Sequence, residues 1–473
     1  MTSDEKEMIS LINQAMDIYR VTSRKAVSVA KVAVLIVILI VIVGVTLPSS
    51  VRAQCTTPCS FTFSPKEVSD AYDVRPLIQA GYTGQGVTVA LLNSGIDSAF
   101  YTDLNSFSNY YGLSAASVSV VRPYGTAGTN VECGIGSGET TADAESIHAM
   151  APDAKILLVL TGFSSSAGCA EWLIDGFSYV IENNAASIAV LSPSSGVTRA
   201  TAMALNAEYE KSIGKGITLI AASNDWGSNN TCCGSKPSPG YYLMPQYSPY
   251  VTAVGGTVLY LNASGYDHEK GWDRSGGGPS SLFPEPNYQA EYPDVPQNGA
   301  RNIPDIALPS SGQLSIYTPT YPDNPQDGIP GASEWWGFLG TSAAAPTFAG
   351  IVADILQEAR ETGFISNTRG LGFLNPTLYQ LGSGSLPGLY PFHDVKKGCS
   401  LVGPNNQIGY CAHTGWDFVT GWGSIDAMKL AQDVLHKPFT TTLGIPEFPT
   451  ETILSGLVIG MPLILTAKPR GNN

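Results

Sequence analysis

Residues 86–97, "GVTVALLNSGID", read as a buried strand that runs straight into a turn. Positions 87–92 form a run of strand length that is apolar apart from Thr88, and Asn93, Ser94 and Gly95 are turn residues. Three further runs have the same character: "KILLVL" (155–160), "SIAVLS" (187–192) and "ITLIAA" (217–222). Between these runs lie "ESIHAM", "AEWLIDGFSYVIENN" and "TAMALNAEYEKSIG", which read as helices. Continuous apolar strands alternating with helices predict an α/β fold, with a parallel central sheet covered by helices on both faces.

The chain of 473 residues, with 50 Gly, 32 Pro and 43% hydrophobic residues, describes a loop-rich globular protein able to bury a large core. A net charge of −14 argues against nucleic acid as a partner, which calls for a basic face. Only 14% of residues are charged, so protonating carboxylates costs little in repulsion. That suits an acidic setting, although ordinary surface drift gives the same composition.

Sixteen uncharged residues, "VAVLIVILIVIVGVTL", lie between Lys31 and Pro48, and "AVSVA" before them extends the run. At about 1.5 Å rise per residue this predicts a transmembrane signal anchor over 26–48. Arg20, Arg24, Lys25 and Lys31 then hold residues 1–25 in the cytoplasm. A cleaved signal peptide is the rival, with Val51 and Ala53 at positions −3 and −1 of the cut. Either reading exports the remainder of the chain: a linker at 49–60, a main domain at 61–436, a linker carrying "PEFP" at 437–452, and a second apolar segment at 453–467. Pro462 weakens that last segment as an anchor. All eight cysteines (55, 59, 133, 169, 232, 233, 399 and 411) fall on the exported side. Their even number suggests up to four disulfides of unreadable connectivity. A zinc site competes, but no second CxxC-type pair or HxxxH spacing accompanies them.

The most specific motif is "GTSAAAPTFAG" (340–350). A Gly-Thr-Ser at a helix start exposes the Ser342 hydroxyl and aims N–H groups at a developing oxyanion. Small residues let such a helix pack closely, and Pro346 is expected in its first turn, where a missing N–H is tolerated. A serine nucleophile needs a base, and none of the five histidines (148, 268, 393, 413, 436) has a suitable context. His148 sits within a helical pattern and reads as a packing or surface residue. "GETTADAESIHAM" (138–150) offers Glu139 and Asp143 instead, spaced i, i+4 on one helix face. Two such close carboxyls do not both ionise cheaply, so one is expected to hold a proton and hydrogen-bond the other. The pair then accepts the serine proton at acid pH, where a histidine would already be charged.

This set resembles the sedolisin family, the serine-carboxyl peptidases, over residues 61–432. The resemblance implies a subtilisin-like fold, with Glu139 and Asp143 in place of the usual histidine and aspartate and Ser342 as nucleophile. "YVTAVGGT" (250–257), "GWDRSGGGPSSLF" (271–283), "RNIPDIALP" (301–309) and "LGFLNPTLYQL" (371–381) carry it further. It also explains Asn93, which stands where subtilisins hold their catalytic aspartate: sedolisins do not use that position. For the oxyanion donor it implies Asp225, in "SNDWG" (223–227), which must be protonated to donate. Asn224 is the alternative, in the subtilisin manner. "LSPSSG" (191–196) matches the edge that aligns substrate, through the backbone of Ser194, Ser195 and Gly196. "FHDVKKG" (392–398) and "CAHTGWDFVTGWG" (411–423) match the family's calcium loop. There the carboxylates of Asp394 and Asp417 and the carbonyls of Val395, His413 and Gly415 would hold one Ca²⁺ ion, with Cys399 and Cys411 as a staple. Sedolisins usually also carry a large prodomain, for which residues 49–86 leave room only for a short linker.

The expectation is a membrane-anchored, monomeric serine-type endopeptidase working outside the cytoplasm on polypeptides at acid pH, stabilised by calcium. A tripeptidyl-type exopeptidase and a catalytically silent surface-binding protein on the same fold are the alternatives.

Overall fold

The computed structural model describes residues 62–436, apart from Ser94, Asp97 and the segments 124–136, 162–170, 230–239, 319–334, 385–389 and 403–406. The chain divides into two compact units, residues 1–53 and 54–473, and the described residues all belong to the second. The predicted tail, the span at 26–48, the segment at 453–467 and Cys55, Cys59, Cys133, Cys169, Cys232 and Cys233 lie outside the described residues. The expected fold is corrected in one part, its transmembrane helix. Among the described residues no helix is long and apolar enough to cross a membrane. The 21-residue helix Thr341–Glu361 shows why: its apolar positions serve internal packing, and it carries Asp354, Glu358, Arg360 and Glu361.

The central sheet has eight strands. They are β1 (Thr88–Asn93), β2 (Ser117–Val121), β3 (Lys155–Leu160), β4 (Ile188–Leu191), β5 (Thr218–Ala222), β6 (Thr252–Asn262), β7 (Gly265–Gly271) and β8 (Ile306–Pro309). The order is β8-β6-β5-β4-β1-β3-β2, all parallel, and β7 turns back antiparallel on β6. The four helices that matter for the site are α1 (Ser137–Met150), α2 (Glu171–Asn183), α3 (Arg199–Lys215) and α4 (Thr341–Glu361).

The period-two rule explains how one sheet holds two cores. Val89 and Leu91 of β1, Ile156 and Leu158 of β3, Ile188 and Val190 of β4 and Ile220 of β5 point to one face, packed against α1 and α4. Ala90, Leu92, Leu157, Val159, Ala189, Leu191 and Leu219 point to the other, packed with Phe177 of α2 and Leu205 and Tyr209 of α3. Each fully buried Leu, Ile or Val contributes about 1.5–3 kcal/mol, so neither layer is dispensable. α1 and α4 lie very close together. A Cβ on Gly350 would stand 2.8 Å from both the Ile147 carbonyl oxygen and the Met150 Cβ.

The chain passes from β3 to β4 through α2, and so moves from one side of β1 to the other. Such a switch point leaves a crevice at the carboxyl ends of the strands. The residues just after β4 and β5, and the start of α4, meet there.

Candidate active site

α4 opens on Gly340, whose φ of 116° is a conformation that side-chain-bearing residues rarely adopt. Space demands glycine as well, since a Cβ there would lie 2.5 Å from Asp225 Oδ2. Asp225 caps the helix start: its Oδ1 accepts from the Thr341 N–H (2.7 Å) and the Thr341 hydroxyl (2.9 Å). Ser342 comes next, partly exposed, with its hydroxyl near enough to Glu139 to favour that carboxyl's charged form. Glu139 lies in the first turn of α1, and the adjacent Thr140 hydroxyl donates to the Gly95 carbonyl at 2.8 Å. That bond ties the start of α1 to the turn after β1, so the opening motif anchors the site without supplying its acid.

Asp143, one helical turn after Glu139, is fully buried. Its Oδ1 accepts from the Ser192 hydroxyl at 2.9 Å, and its Oδ2 has no hydrogen-bond partner among the described residues. The expected hydrogen bond between the two carboxyls is therefore not what the helix geometry produces. Glu139 reaches forward to Ser342, Asp143 turns to Ser192, and the two act on each other through charge. Pro346 also departs from expectation. α4 begins at Thr341, so the proline is its sixth residue and falls in the second turn.

Burial pushes the Glu139 carboxyl up to about 7, opposed by the Ser342 hydroxyl and helped by the negative charge of Asp225. Burial likewise holds Asp143 well above the carboxylate range, with the charge of Glu139 adding and the Ser192 bond opposing. Asp225 is raised by burial against the two Thr341 donors and the nearby Arg274 guanidinium. Asp143 and Asp225 are thus favoured as acids that keep a proton in mild acid, whereas Glu139, the one beside Ser342, can act as a base only in the fraction that has shed its proton.

Asn224 faces elsewhere. It sits at φ 89°, and its Oδ1 accepts from the Trp226 N–H at 3.0 Å. Its carbonyl accepts from the Gly276 N–H at 2.8 Å. A Cβ on Gly276 would come within 2.7 Å of Asn224 Oδ1, so the glycine turn of the 271–283 stretch walls that side chain in. Sequence reasoning did not single out Thr341 or Ser192 as contacts. Thr341 had a signal, as the neighbour of Ser342. Ser192 had none, because its partner Asp143 lies 49 residues away.

Of the substrate-edge residues, Ser195 and Gly196 belong to a strand Ser195–Thr198, paired antiparallel with Tyr241–Met244, and Ser194 precedes it. The loop residues at the other proposed site do converge. The Gly415 N–H donates to Asp394 Oδ1 (3.2 Å) and the His413 N–H to Asp417 Oδ2 (3.2 Å). Buried Asp417 also accepts from the Val419 and Thr420 N–H groups at 2.8 and 2.9 Å. No described hydrogen bond ends on the carbonyls of Val395, His413 or Gly415. Cys399 and Cys411 form a disulfide across this segment. Among the described residues no group of three or more His, Cys, Asp or Glu side chains gathers as a metal site. His148 is a packing residue, fully buried with Nε2 3.0 Å from the Ser114 carbonyl.

Residues 84–370 match the subtilase family (Peptidase_S8). Kumamolisin from Bacillus sp. (strain MN-32) is 31% identical over 408 residues, covering 81% of this chain and 65% of kumamolisin. Sedolisin from Pseudomonas sp. (strain 101) is 30% identical over 395 residues, covering 80% of this chain and 62% of sedolisin. The chain thus spans less than two thirds of the length of these two curated relatives. The solved structure of Pseudomonas sedolisin, a serine-carboxyl proteinase complexed with two molecules of pseudo-iodotyrostatin, superposes with a TM-score of 0.63 at 27% identity. That match covers 78% of this chain and 97% of the sedolisin chain. A subtilisin-type sheet with a Glu–Asp pair on α1 near Ser342 on α4 agrees with these matches; the chain is similar to sedolisin and kumamolisin, and it belongs to the subtilase family.

Proposed function

We propose that this chain cleaves peptide bonds within polypeptides at acid pH, with Ser342 as nucleophile. The observation that carries the reading is the closeness of the Ser342 hydroxyl to Glu139, whose charged form it favours, at a helix start capped by a second carboxyl, Asp225. Glu139 takes the proton from the Ser342 hydroxyl as its oxygen attacks the peptide carbonyl, and returns it to the leaving amine. Asp143 stays protonated behind Glu139 and keeps the pair at a single negative charge. Asp225 stabilises the oxyanion. Its Oδ1 is taken by Thr341 donors, so the proton it offers sits on Oδ2. Substrate aligns along Ser194, Ser195 and Gly196 as an added strand, on the edge that Tyr241–Met244 leaves open.

The residues at 392–398 and 411–423 suit a calcium ion: Asp394 and Asp417 carboxylates beside three carbonyls that accept no described bond. Bound there, the ion would cross-link two loop segments and contribute stability rather than chemistry. The Cys399–Cys411 disulfide supports work outside the reducing cytoplasm.

The test is proteolysis of a denatured protein from pH 2 to 8 by wild type and Ser342→Ala. A bell-shaped profile centred below pH 6 that vanishes in the variant is expected; undiminished activity in Ser342→Ala overturns the reading. Peptides blocked at the amino end should still be cut. Refusal of blocked peptides alone would indicate an exopeptidase. Chelation should lower the melting temperature at neutral pH, and an unchanged melting curve removes calcium from the proposal.

A further inference from the structure

Ser192 comes directly after β4, at the carboxyl edge of the sheet, and is only 4% exposed. Its hydroxyl oxygen stands 2.9 Å from Asp143 Oδ1 and 3.3 Å from the main-chain carbonyl oxygen of Ser342. In an uninterrupted helix the carbonyl of residue 342 would accept from the N–H of residue 346. Residue 346 is proline and has no N–H to give. The carbonyl of the nucleophile's own residue is thereby released from its helical bond, and the Ser192 hydroxyl reaches it.

A hydroxyl has one hydrogen and two lone pairs, so it cannot donate to both neighbours at once. If Asp143 carries its proton on Oδ1, the acid donates to Ser192 and Ser192 donates to the Ser342 carbonyl. Both bonds are then made. If Asp143 is ionised, the Ser192 hydrogen turns to the carboxylate, and the Ser342 carbonyl loses this donor. The protonation of a residue on α1 is thus linked to the backbone of a residue on α4.

We propose that Ser192 is a positioning residue of this site, coupling Asp143 to the main chain of Ser342 through a single hydroxyl that substitutes for the N–H missing at Pro346. The inference rests on the Glu139–Asp143–Ser342 reading above and adds to it a dependence that those residues alone do not have. The carbonyl bond holds the first turn of α4, and with it the direction of the Ser342 side chain toward Glu139. Its loss therefore falls on turnover, not on substrate binding.

The experiment measures kcat, KM and melting temperature for wild type, Ser192→Ala, Pro346→Ala, the double variant and Ser342→Ala, on one blocked peptide. Ser192→Ala should lower kcat roughly tenfold with KM within about twofold, the scale of one modest hydrogen bond. Pro346→Ala restores an N–H to the helix, so in that background Ser192→Ala should cost less than about threefold. Equal losses in the two backgrounds, or wild-type kcat in Ser192→Ala, would overturn the proposal. Should Ser192→Ala fail to fold, Ser192→Thr and Ser192→Val carry the same question, being alike in shape and differing by the hydroxyl. Thr must then exceed Val in kcat, and equality refutes the coupling. Wild-type turnover in Ser342→Ala would instead bring down the functional reading itself. A dead Ser342→Ala beside a fully active Ser192→Ala removes only the role of Ser192.

Discussion

Asp305 and Asp143 are both fully buried, yet the protein treats them in opposite ways. Asp305, just ahead of β8, meets the Arg301 guanidinium twice, at 2.7 and 2.6 Å, and also accepts from the Ala253 N–H (2.7 Å) and the Tyr379 hydroxyl (2.8 Å). Asp143, on α1, has one hydroxyl and a neighbouring carboxyl. The same α1–α4 layer holds Glu145, with one N–H donor at 2.8 Å and an Oε1 that has no partner among the described residues. It also holds Asp354, neither of whose oxygens has a partner among the described residues. Burial holds all three well above the carboxylate range. A buried carboxylate without a cation costs several kcal/mol, whereas a buried carboxylic acid costs much less. One region therefore neutralises its aspartate with arginine, and the other with protons. Only the second kind of neutrality varies with pH, and it surrounds the proposed chemistry.

The largest effect is expected where that proton exchange is put to use. Glu139→Gln keeps the side chain's shape but removes its ability to take a proton. Turnover should fall by about 10⁴–10⁶-fold, while the melting temperature stays close to wild type. Activity within tenfold of wild type would mean the proton-holding layer is structural, and the contrast with Asp305 would lose its functional meaning.

The paired region should answer in stability instead. Asp305→Ala leaves a charged guanidinium buried against the Val251 and Asn302 carbonyls, and should cost about 3–5 kcal/mol by denaturant unfolding. A cost below about 1 kcal/mol would show that those carbonyls suffice for Arg301.

Asp225 stands between the two cases, partly exposed, raised by burial and opposed by Arg274. Asp225→Ala should lose about 10²–10³-fold in kcat. Asp225→Asn, a donor that does not titrate, should keep part of that activity and move the alkaline limb of the pH profile upward. The reverse ranking, with Asn224→Ala severe and Asp225→Ala mild, would transfer the oxyanion role to Asn224.

What the sequence disclosed and what it withheld divide along the same line. "KILLVL" is β3 to the residue, and "ITLIAA" and "SIAVLS" are off by one at their ends, because a fully buried parallel strand is written as a local apolar run. The Glu139–Asp143 spacing was legible for the same reason, since a helix turns i, i+4 into a shared face. The pairing of Asp143 with Ser192 and the isolation of Asp354 were not. Each depends on which distant segment packs against the helix, and one-dimensional spacing carries no record of that. Pro346 misled by a single turn: its place was counted from the motif, whereas the helix start is set by Gly340 and the Asp225 cap.

The smallest effect is the most direct reading of the contrast. Asp354 lies on α4 away from the site, raised by burial with the charge of Asp153 adding. In the unfolded chain an aspartate titrates near pH 4, so above that pH the unfolded state releases a proton that the folded state keeps. The stability Asp354 permits is complete below about pH 4 and declines as pH rises toward its folded-state value. Asparagine has nearly the same shape and does not titrate. The melting temperature of Asp354→Asn should match wild type at pH 4 and exceed it by a few degrees at pH 7. Asp143 and Glu145 impose the same slope on both proteins and cancel in the difference. A variant that melts lower than wild type by the same amount at both pH values would show that Asp354 is held by a partner. In that case the α1–α4 layer would no longer be neutralised by protons alone.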